Sequence, residues 1–211
     1  IRVRWIFAGI VAALTLTTVS VSGVVPEQRI QPIDRPDSLF ALGLDHFDNN
    51  RPVDARWVFE QLVRSLPQTS EWHAPSQLMF ARSLYRIGYL QGAGDAIAAL
   101  LERTPAGVLP TNVVRLRTYY TPYAQYLLAM IAWQNNDRRA VVAHSWEVVR
   151  DPNAPPTLTK DARTLAQATV ARADSLEFRG MDPVVQGFVR DAAALNRAIG
   201  LYHGGQWLAA R

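Results

Sequence analysis

Cysteine is absent from this chain, which excludes disulfide bonds, thiolate metal ligands and a cysteine nucleophile. Lysine occurs once, at Lys160, so arginine supplies nearly all of the positive charge. The net charge is +4 and no run of five or more cationic residues occurs, which argues against a nucleic-acid partner. Because charged residues make up only 19% of the chain and hydrophobic residues 49%, the composition is that of a folded protein.

The sequence also lacks the motifs that usually carry catalysis. It contains no G-x-S-x-G nucleophile elbow, and Gly92-Ala93-Gly94 lacks the Gly-Lys of a phosphate-binding loop. The carboxylates form no pair on one apolar face, and no H-E-x-x-H spacing involves the four histidines, His46, His73, His144 and His203. We therefore expect a protein that is not an enzyme and that holds no metal or cofactor. An exported enzyme with an irregular helical fold is the weaker alternative.

A long uncharged segment stands near the N-terminus. Residues 5–25 carry no charge, and these 21 residues are enough for a helix to cross a bilayer. Arg2 and Arg4 precede the segment, which predicts a cytoplasmic N-terminus and a periplasmic location for the rest of the chain. A signal peptide within residues 1–25 is the alternative, and it also exports the chain. The residues predicted to anchor the chain in the membrane are Trp5, Ile6, Phe7, Ile10, Leu14 and Leu16.

Residues 26–37 contain three prolines, which disfavour a helix and favour an extended, semi-rigid linker. After this linker, one spacing of 12, 4 and 8 residues occurs three times. It separates Gly43, Ala55, Phe59 and Pro67, then Ala81, Ala93, Ile97 and Pro105, and then Leu128, Ala140, His144 and Pro152. A period above thirty residues indicates stacked supersecondary units that bury a core only together.

Each unit reads as two amphipathic helical segments with a break between them, and the third unit is predicted to start near Pro122. Small residues allow two antiparallel helices to approach closely, and they stand at Gly43, Ala81, Ala55, Ala93 and Ala140. Residues 38–156 resemble tetratricopeptide repeats. The resemblance rests on these small residues, on Phe59, Ile97 and the unit-ending prolines, and on turns at Gly88 and Asn135. The units are 38 and 47 residues apart, not 34, and an array of irregular helical hairpins is the alternative.

Residues 157–211 are predicted to form a further helical hairpin, with helices at 158–179 and 183–202, and a partial repeat at 205–210. The predicted fold class is therefore all-α, with an N-terminal transmembrane helix followed by a tetratricopeptide-like α-solenoid of antiparallel helix pairs.

The resemblance implies that partners bind in the groove lined by the first helix of each pair. Aromatic and arginine side chains are common energetic anchors of such interfaces. For the aromatic residues of the first unit, burial in the core is an equal alternative. The residues that the spacing places in the groove are Phe40, Phe47, Asp48, Leu78, Arg82, Tyr85, Arg86, Gln125 and Trp133.

These observations predict a membrane-anchored periplasmic scaffold or accessory subunit. Its partners would be the protein subunits of a larger bacterial membrane complex and, through the N-terminal helix, the lipid bilayer. Photosynthetic and respiratory complexes are among the candidates. The alternative is the N-terminal recruitment module of a longer periplasmic binding or envelope-assembly protein.

Overall fold

The structure is a computed structural model that describes residues 35–102, 108–173 and 175–203. In these ranges it contains eight α-helices, one 3₁₀ helix at Ser175–Phe178 and no strand, so the predicted all-α fold is confirmed there. The α-helices are α1 (Pro36–Asp48), α2 (Pro52–Ser65), α3 (His73–Arg86), α4 (Leu90–Leu101), α5 (Thr111–Gln134), α6 (Arg138–Arg150), α7 (Pro156–Val170) and α8 (Pro183–His203).

The helices pack as consecutive pairs. Turns of three residues join α1 to α2, α3 to α4 and α5 to α6, and the two helices of each pair contact each other along their lengths. The second helix of each pair then contacts the first helix of the next, and α5 also contacts both α3 and α7. First helices of consecutive pairs are therefore neighbours, which is the arrangement of a helical repeat.

The three turns within the pairs share one geometry. Asn50, Gly88 and Asn136 have positive φ angles of 56°, 84° and 57°. The N–H of Asn50 donates to the carbonyl of Phe47, and the next N–H, from Arg51, donates five residues back to His46. The same two bonds recur at the other two turns, so each first helix ends in a Schellman motif.

These turns also give the register of the repeat. Asn50 and Gly88 are 38 residues apart, as predicted, but Gly88 and Asn136 are 48 apart and not 47. The position of Gly43 in the first unit therefore falls on Ala129 in the third unit, and not on Leu128. Burial agrees, because Ala129 is 0% exposed whereas Leu128 is partly exposed.

The core is built where the helices of a pair meet. Ala55, Ala81 and Ala93 are fully buried, as the predicted close approach requires. Ala140 is only partly buried, because the 48-residue register places Val141 at that position. In the first pair the ring of Phe59 lies directly against Gly43, and a Cβ at that glycine would come within 2.7 Å of it. Larger side chains such as Ile97 fill the space between units, where the apolar residues of α3, α4 and α5 form one cluster.

Helix α5 corrects the prediction that the third unit starts near Pro122. The helix begins at Thr111 and contains Pro122 in its interior, although proline cannot donate a backbone N–H there. Packing compensates for that loss, because Tyr120 and Tyr123 lie against the α3–α4 core and Pro122 is buried. A proline that usually marks a first helical turn is here held inside a helix by its tertiary contacts.

Helix α7 is shorter than the predicted helix at 158–179. It ends at Val170, and the chain then forms the 3₁₀ helix and turns at Gly180, which has a φ of 76°. Phe178 explains the early end, because its ring is buried against Val142 of α6 and Val185 of α8. Burial of this one aromatic side chain outweighs the continuation of the helix.

The transmembrane part of the predicted fold class is corrected. Within the part of the chain that the structure describes, no helix has the length and apolar character needed to cross a membrane. The predicted anchor residues, Trp5, Ile6, Phe7, Ile10, Leu14 and Leu16, lie outside the described residues, as do most of the linker and residues 205–210.

Two glycine substitutions should have opposite effects on stability. Gly43→Ala places a methyl group 2.7 Å from the fully buried Phe59 ring, so we expect the free energy of unfolding to fall by about 1–2 kcal/mol. Gly94→Ala in α4 meets no atom within 4 Å and should raise it by about 0.5–1 kcal/mol through helix propensity alone. Urea unfolding measures both changes, and a stabilising Gly43→Ala would contradict the close helix contact.

Candidate protein-binding surface

Three aromatic side chains occupy one equivalent position in the last turn of α1, α3 and α5. They are Phe47, Tyr85 and Trp133, and we call them the aromatic row. Each of their carbonyls accepts the N–H of the left-handed residue that closes its helix. Because the same Schellman motif fixes all three backbones, the row follows the order of the repeat units along one edge of the array.

We call the place where one unit meets the next a junction, numbered in chain order. At the first junction, the Phe47 ring of the aromatic row is covered by an arginine of the next unit. The guanidinium of Arg86 lies 3.9 Å from the centre of the Phe47 ring and donates a 2.7 Å hydrogen bond to the Phe47 carbonyl. Arg82 lies 5.0 Å from the same ring. Partial burial and the charge of Arg86 lower the pKa of Arg82, and the carboxylate of Asp48 partly offsets this. Arg82 nevertheless remains charged at neutral pH.

The same kind of contact follows at the next two junctions. The side-chain amide of Gln134 in α5 donates to the Tyr85 hydroxyl at 3.4 Å. Arg172, which follows α7, lies with its guanidinium 5.2 Å from the Trp133 ring centre. Arg86 and Gln134 are 48 residues apart and each is the last residue of its helix, so they hold equivalent positions, whereas Arg172 lies two residues beyond the end of α7. All three contact the aromatic residue of the unit before their own, and we call them the bridging residues.

The structure divides the predicted groove residues into exposed and buried groups. Asp48, Arg82 and Arg86 are exposed and Tyr85 and Trp133 are half-buried, so the C-terminal ends of α1, α3 and α5 bring five predicted residues to one edge. Phe47 and Leu78 are only 3% and 5% exposed, and they belong to the core more than to a surface.

The remaining two predicted groove residues make contacts inside the array. Phe40 packs with its ring centre 5.5 Å from that of Phe59 and 5.3 Å from that of Trp72. Gln125 of α5 has its side-chain oxygen 2.9 Å from Nδ1 of His144 in α6. This bond satisfies a polar atom of the partly buried His144. The spacing in the sequence placed His144 at the position of Phe59 and Ile97, but the 48-residue register places the fully buried Ser145 there.

Sequence reasoning missed two members of the surface, Gln134 and Arg172. Gln134 becomes recognisable once the third unit is aligned on Asn136, since Arg86 then predicts it by position, whereas Arg172 is identified only by its contact with Trp133. The predicted spacing of 47 residues shifts the third unit by one, which on a helix rotates the expected face by about 100°.

The chemistry of this edge is that of an interface. Three arginines, Arg82, Arg86 and Arg172, stand beside the aromatic row with Asp48 as the opposing charge. Among the described residues, no group of three or more His, Asp or Glu side chains is placed to hold a metal ion. Arginine and aromatic side chains together are well suited to bind acidic protein surfaces.

Comparison with known proteins adds no family to this geometry. No protein-family model, curated protein or solved structure matches the chain. The packed helix pairs and their equivalent turns are therefore established by the structure alone.

Removing the first bridging residue should measurably destabilise the array. Arg86→Ala loses the cation–π contact and the charged hydrogen bond to Phe47, and we expect the free energy of unfolding to fall by about 1–2 kcal/mol. Arg82→Ala, which loses a longer contact to the same ring and a weak 3.5 Å hydrogen bond to the Met79 sulfur, is the matched control and should cost about 0.5 kcal/mol or less. Equal losses in urea unfolding would show that the close stacking of Arg86 contributes nothing specific.

Two partly buried histidines predict that stability falls in mild acid. Burial lowers the pKa of His144 despite the nearby Glu147 and Asp137, and burial together with Arg117 lowers the pKa of His73. The unfolded chain, with a histidine pKa of about 6.5, therefore binds more protons than the folded chain below that pH. The free energy of unfolding should be highest above about pH 6.5 and decline as the pH falls further.

The test is urea unfolding between pH 7.5 and 5. In a His73→Gln, His144→Gln double variant, the decline should be less steep by up to about 1.4 kcal/mol per pH unit for each histidine removed. A decline of unchanged slope would assign the pH dependence to other groups.

Proposed function

We propose that this chain is a helical-repeat scaffold that works by binding other proteins and that catalyses no reaction. The observation that supports this most is the edge formed by the aromatic row and its bridging residues. It presents the half-buried rings of Tyr85 and Trp133 beside the exposed Arg86 and Arg172. A surface assembled from several units suits an extended partner more than a small substrate.

We assign the repeats to the tetratricopeptide type as part of this proposal. The support is the set of small residues in the first helices, Gly43, Ala81 and Ala129, and the left-handed turn residue that recurs in each unit. The unit spacings of 38 and 48 residues exceed the usual 34. The extra ten residues of the second spacing accommodate the longer first helix α5.

The charge of the surface indicates the chemistry of the partner. Arg82 and Arg86 are four residues apart on one face of α3 and both are exposed, so a carboxylate-rich partner would gain charge-assisted contacts there. Arg172 extends the cationic edge to the far end of the aromatic row. We propose an acidic protein surface as the partner, and no nucleic acid, because the sequence has no run of five or more cationic residues.

The proposed location is the periplasmic side of the membrane. The support is the uncharged segment at residues 5–25 behind Arg2 and Arg4, for which both interpretations of the sequence export the remainder of the chain. The proposed role there is that of an accessory subunit of a larger bacterial membrane complex, with photosynthetic and respiratory complexes among the candidates.

The alternative, a recruitment module of a longer envelope protein, is favoured by one observation. Helix α8 exposes Val184, Leu195 and Ile199 at 59%, 45% and 45%, and a further helical unit would cover such apolar side chains. The coding sequence beyond Arg211 tests this alternative, since an immediate stop codon removes it.

Charge reversal on the cationic edge should release the chain from its complex. In the producing bacterium, Arg82→Glu combined with Arg172→Glu repels an acidic partner, and like charges facing each other weaken binding by several kcal/mol. After mild solubilisation of the envelope, we expect the unmodified chain to elute with a larger complex and the double variant to elute near its own mass of 23.5 kDa.

The matched control is Arg139→Glu, an exposed arginine on the second helix α6 that takes no part in the aromatic row. It should leave the complex intact. Elution of the unmodified chain as a free monomer would overturn the proposed function, and retention of the double variant would overturn the proposed binding edge.

A further inference from the structure

A cavity of about 280 Å³ opens at the third junction of the array, between the end of α5, the start of α6 and the end of α7. It lies beside Trp133, the last member of the aromatic row, between the turn at Asn136 and the bridging residue Arg172. The residues that line it are Trp133, Asn136, Arg138, Val141, Thr169 and Arg172.

The two arginines of this cavity differ in their partners. Arg138 is paired with Glu177 through a 2.7 Å hydrogen bond, so its charge is neutralised within the protein. Arg172 lies over the Trp133 ring and has no carboxylate partner among the residues that the structure describes. The lining side chains together with Glu177 therefore leave one net positive charge at the cavity.

The first junction shows what is unusual about the third. There, Arg86 lies 3.9 Å from the Phe47 ring centre and uses a donor on the Phe47 carbonyl. At the third junction the distance from Arg172 to the ring centre of Trp133 is 5.2 Å, and the arginine makes no comparable backbone bond within the described residues. The cavity beside this wider contact has room for a ligand, and no hydrogen bond within the described residues engages the planar guanidinium fork.

The other walls limit the size and polarity of that ligand. Val141 is 1% exposed and offers an apolar wall, as does the indole of Trp133. Thr169 donates its hydroxyl proton to the Leu165 carbonyl at 2.8 Å, so it adds no free donor. A volume of 280 Å³ equals about nine water molecules and is below the usual range for drug-sized ligands, so it fits a group of amino-acid size.

We propose that this cavity binds a single carboxylate attached to a small apolar group. The carboxylate pairs with the guanidinium of Arg172, whose two parallel N–H groups match its geometry, and the apolar group lies against Trp133 and Val141. The carboxylate belongs either to a free organic acid or to a polypeptide partner. In the second case the inference deepens the proposed function and rests on it.

The test uses two probes that differ only in charge, N-acetyl-leucine and its neutral amide, N-acetyl-leucinamide. They are titrated into the ¹⁵N-labelled full chain, and the indole N–H signal of Trp133 is followed after assignment by its loss in Trp133→Phe. We expect saturable shifts with the acid and at least about tenfold weaker binding of the amide. Inorganic phosphate at equal concentration should not compete, because it has no apolar group for Trp133 and Val141.

Variants identify the residue responsible. Arg172→Gln should weaken binding of the acid at least about tenfold, Arg172→Lys should weaken it less, and Arg139→Gln should leave it unchanged. An unchanged spectrum for the other indole signals shows that each variant is folded. Absence of saturable binding, equal binding of acid and amide, or full binding by Arg172→Gln overturns the proposal.

A third probe separates the two sources of the carboxylate. If a tetrapeptide ending in leucine binds at least about tenfold tighter than N-acetyl-leucine, the natural ligand is a polypeptide carboxylate, and equal affinities indicate a free acid. Both results support the cavity. If no carboxylate binds in the cavity, the proposed function still stands as long as the chain elutes with its complex. The two hypotheses can therefore fail separately.

Discussion

The ring of Phe59 lies directly on the backbone of Gly43, and no larger residue than glycine fits at that point. In the second pair, the fully buried alanines Ala81 and Ala93 allow the same close approach of the two helices. Close approach within a pair brings the two helices to a fixed separation, and the larger side chains then meet those of the next pair. The stacking of units, and every surface that spans two units, depends on this approach.

The turns within the pairs fix the backbone of the binding edge in the same way in each unit. Each first helix ends in a left-handed residue whose N–H bonds to the carbonyl of the aromatic row, so the last turn has one fixed conformation in all three units. The bridging residues then add contacts of modest strength, since an exposed cation–π pair contributes only about 0.5–1 kcal/mol. Such contacts hold the edge in shape, and their cations remain exposed to a partner.

Variation among the bridging residues gives each junction its own chemistry. Arg86 is engaged closely with Phe47, Gln134 is neutral, and Arg172 lies farther from its ring beside an open cavity. The repeat thus supplies one backbone geometry, and the side chains placed on it determine whether a junction is closed or able to bind a ligand. A repeat array diversifies its binding surface in this way without altering its core.

The sequence by itself determined the all-α fold, the pairing of helices and most of the aromatic row, because amphipathic periodicity and small residues at fixed spacing are local signals. Tertiary structure alone decided the start of α5, the early end of α7 and the 48-residue register of the third unit. Each of these depends on contacts between distant residues, such as Phe178 with Val185 and Tyr120 with the α3–α4 core. The register in turn revealed Gln134, since a shift of one residue on a helix moves a side chain to another face, and the contact with Trp133 revealed Arg172.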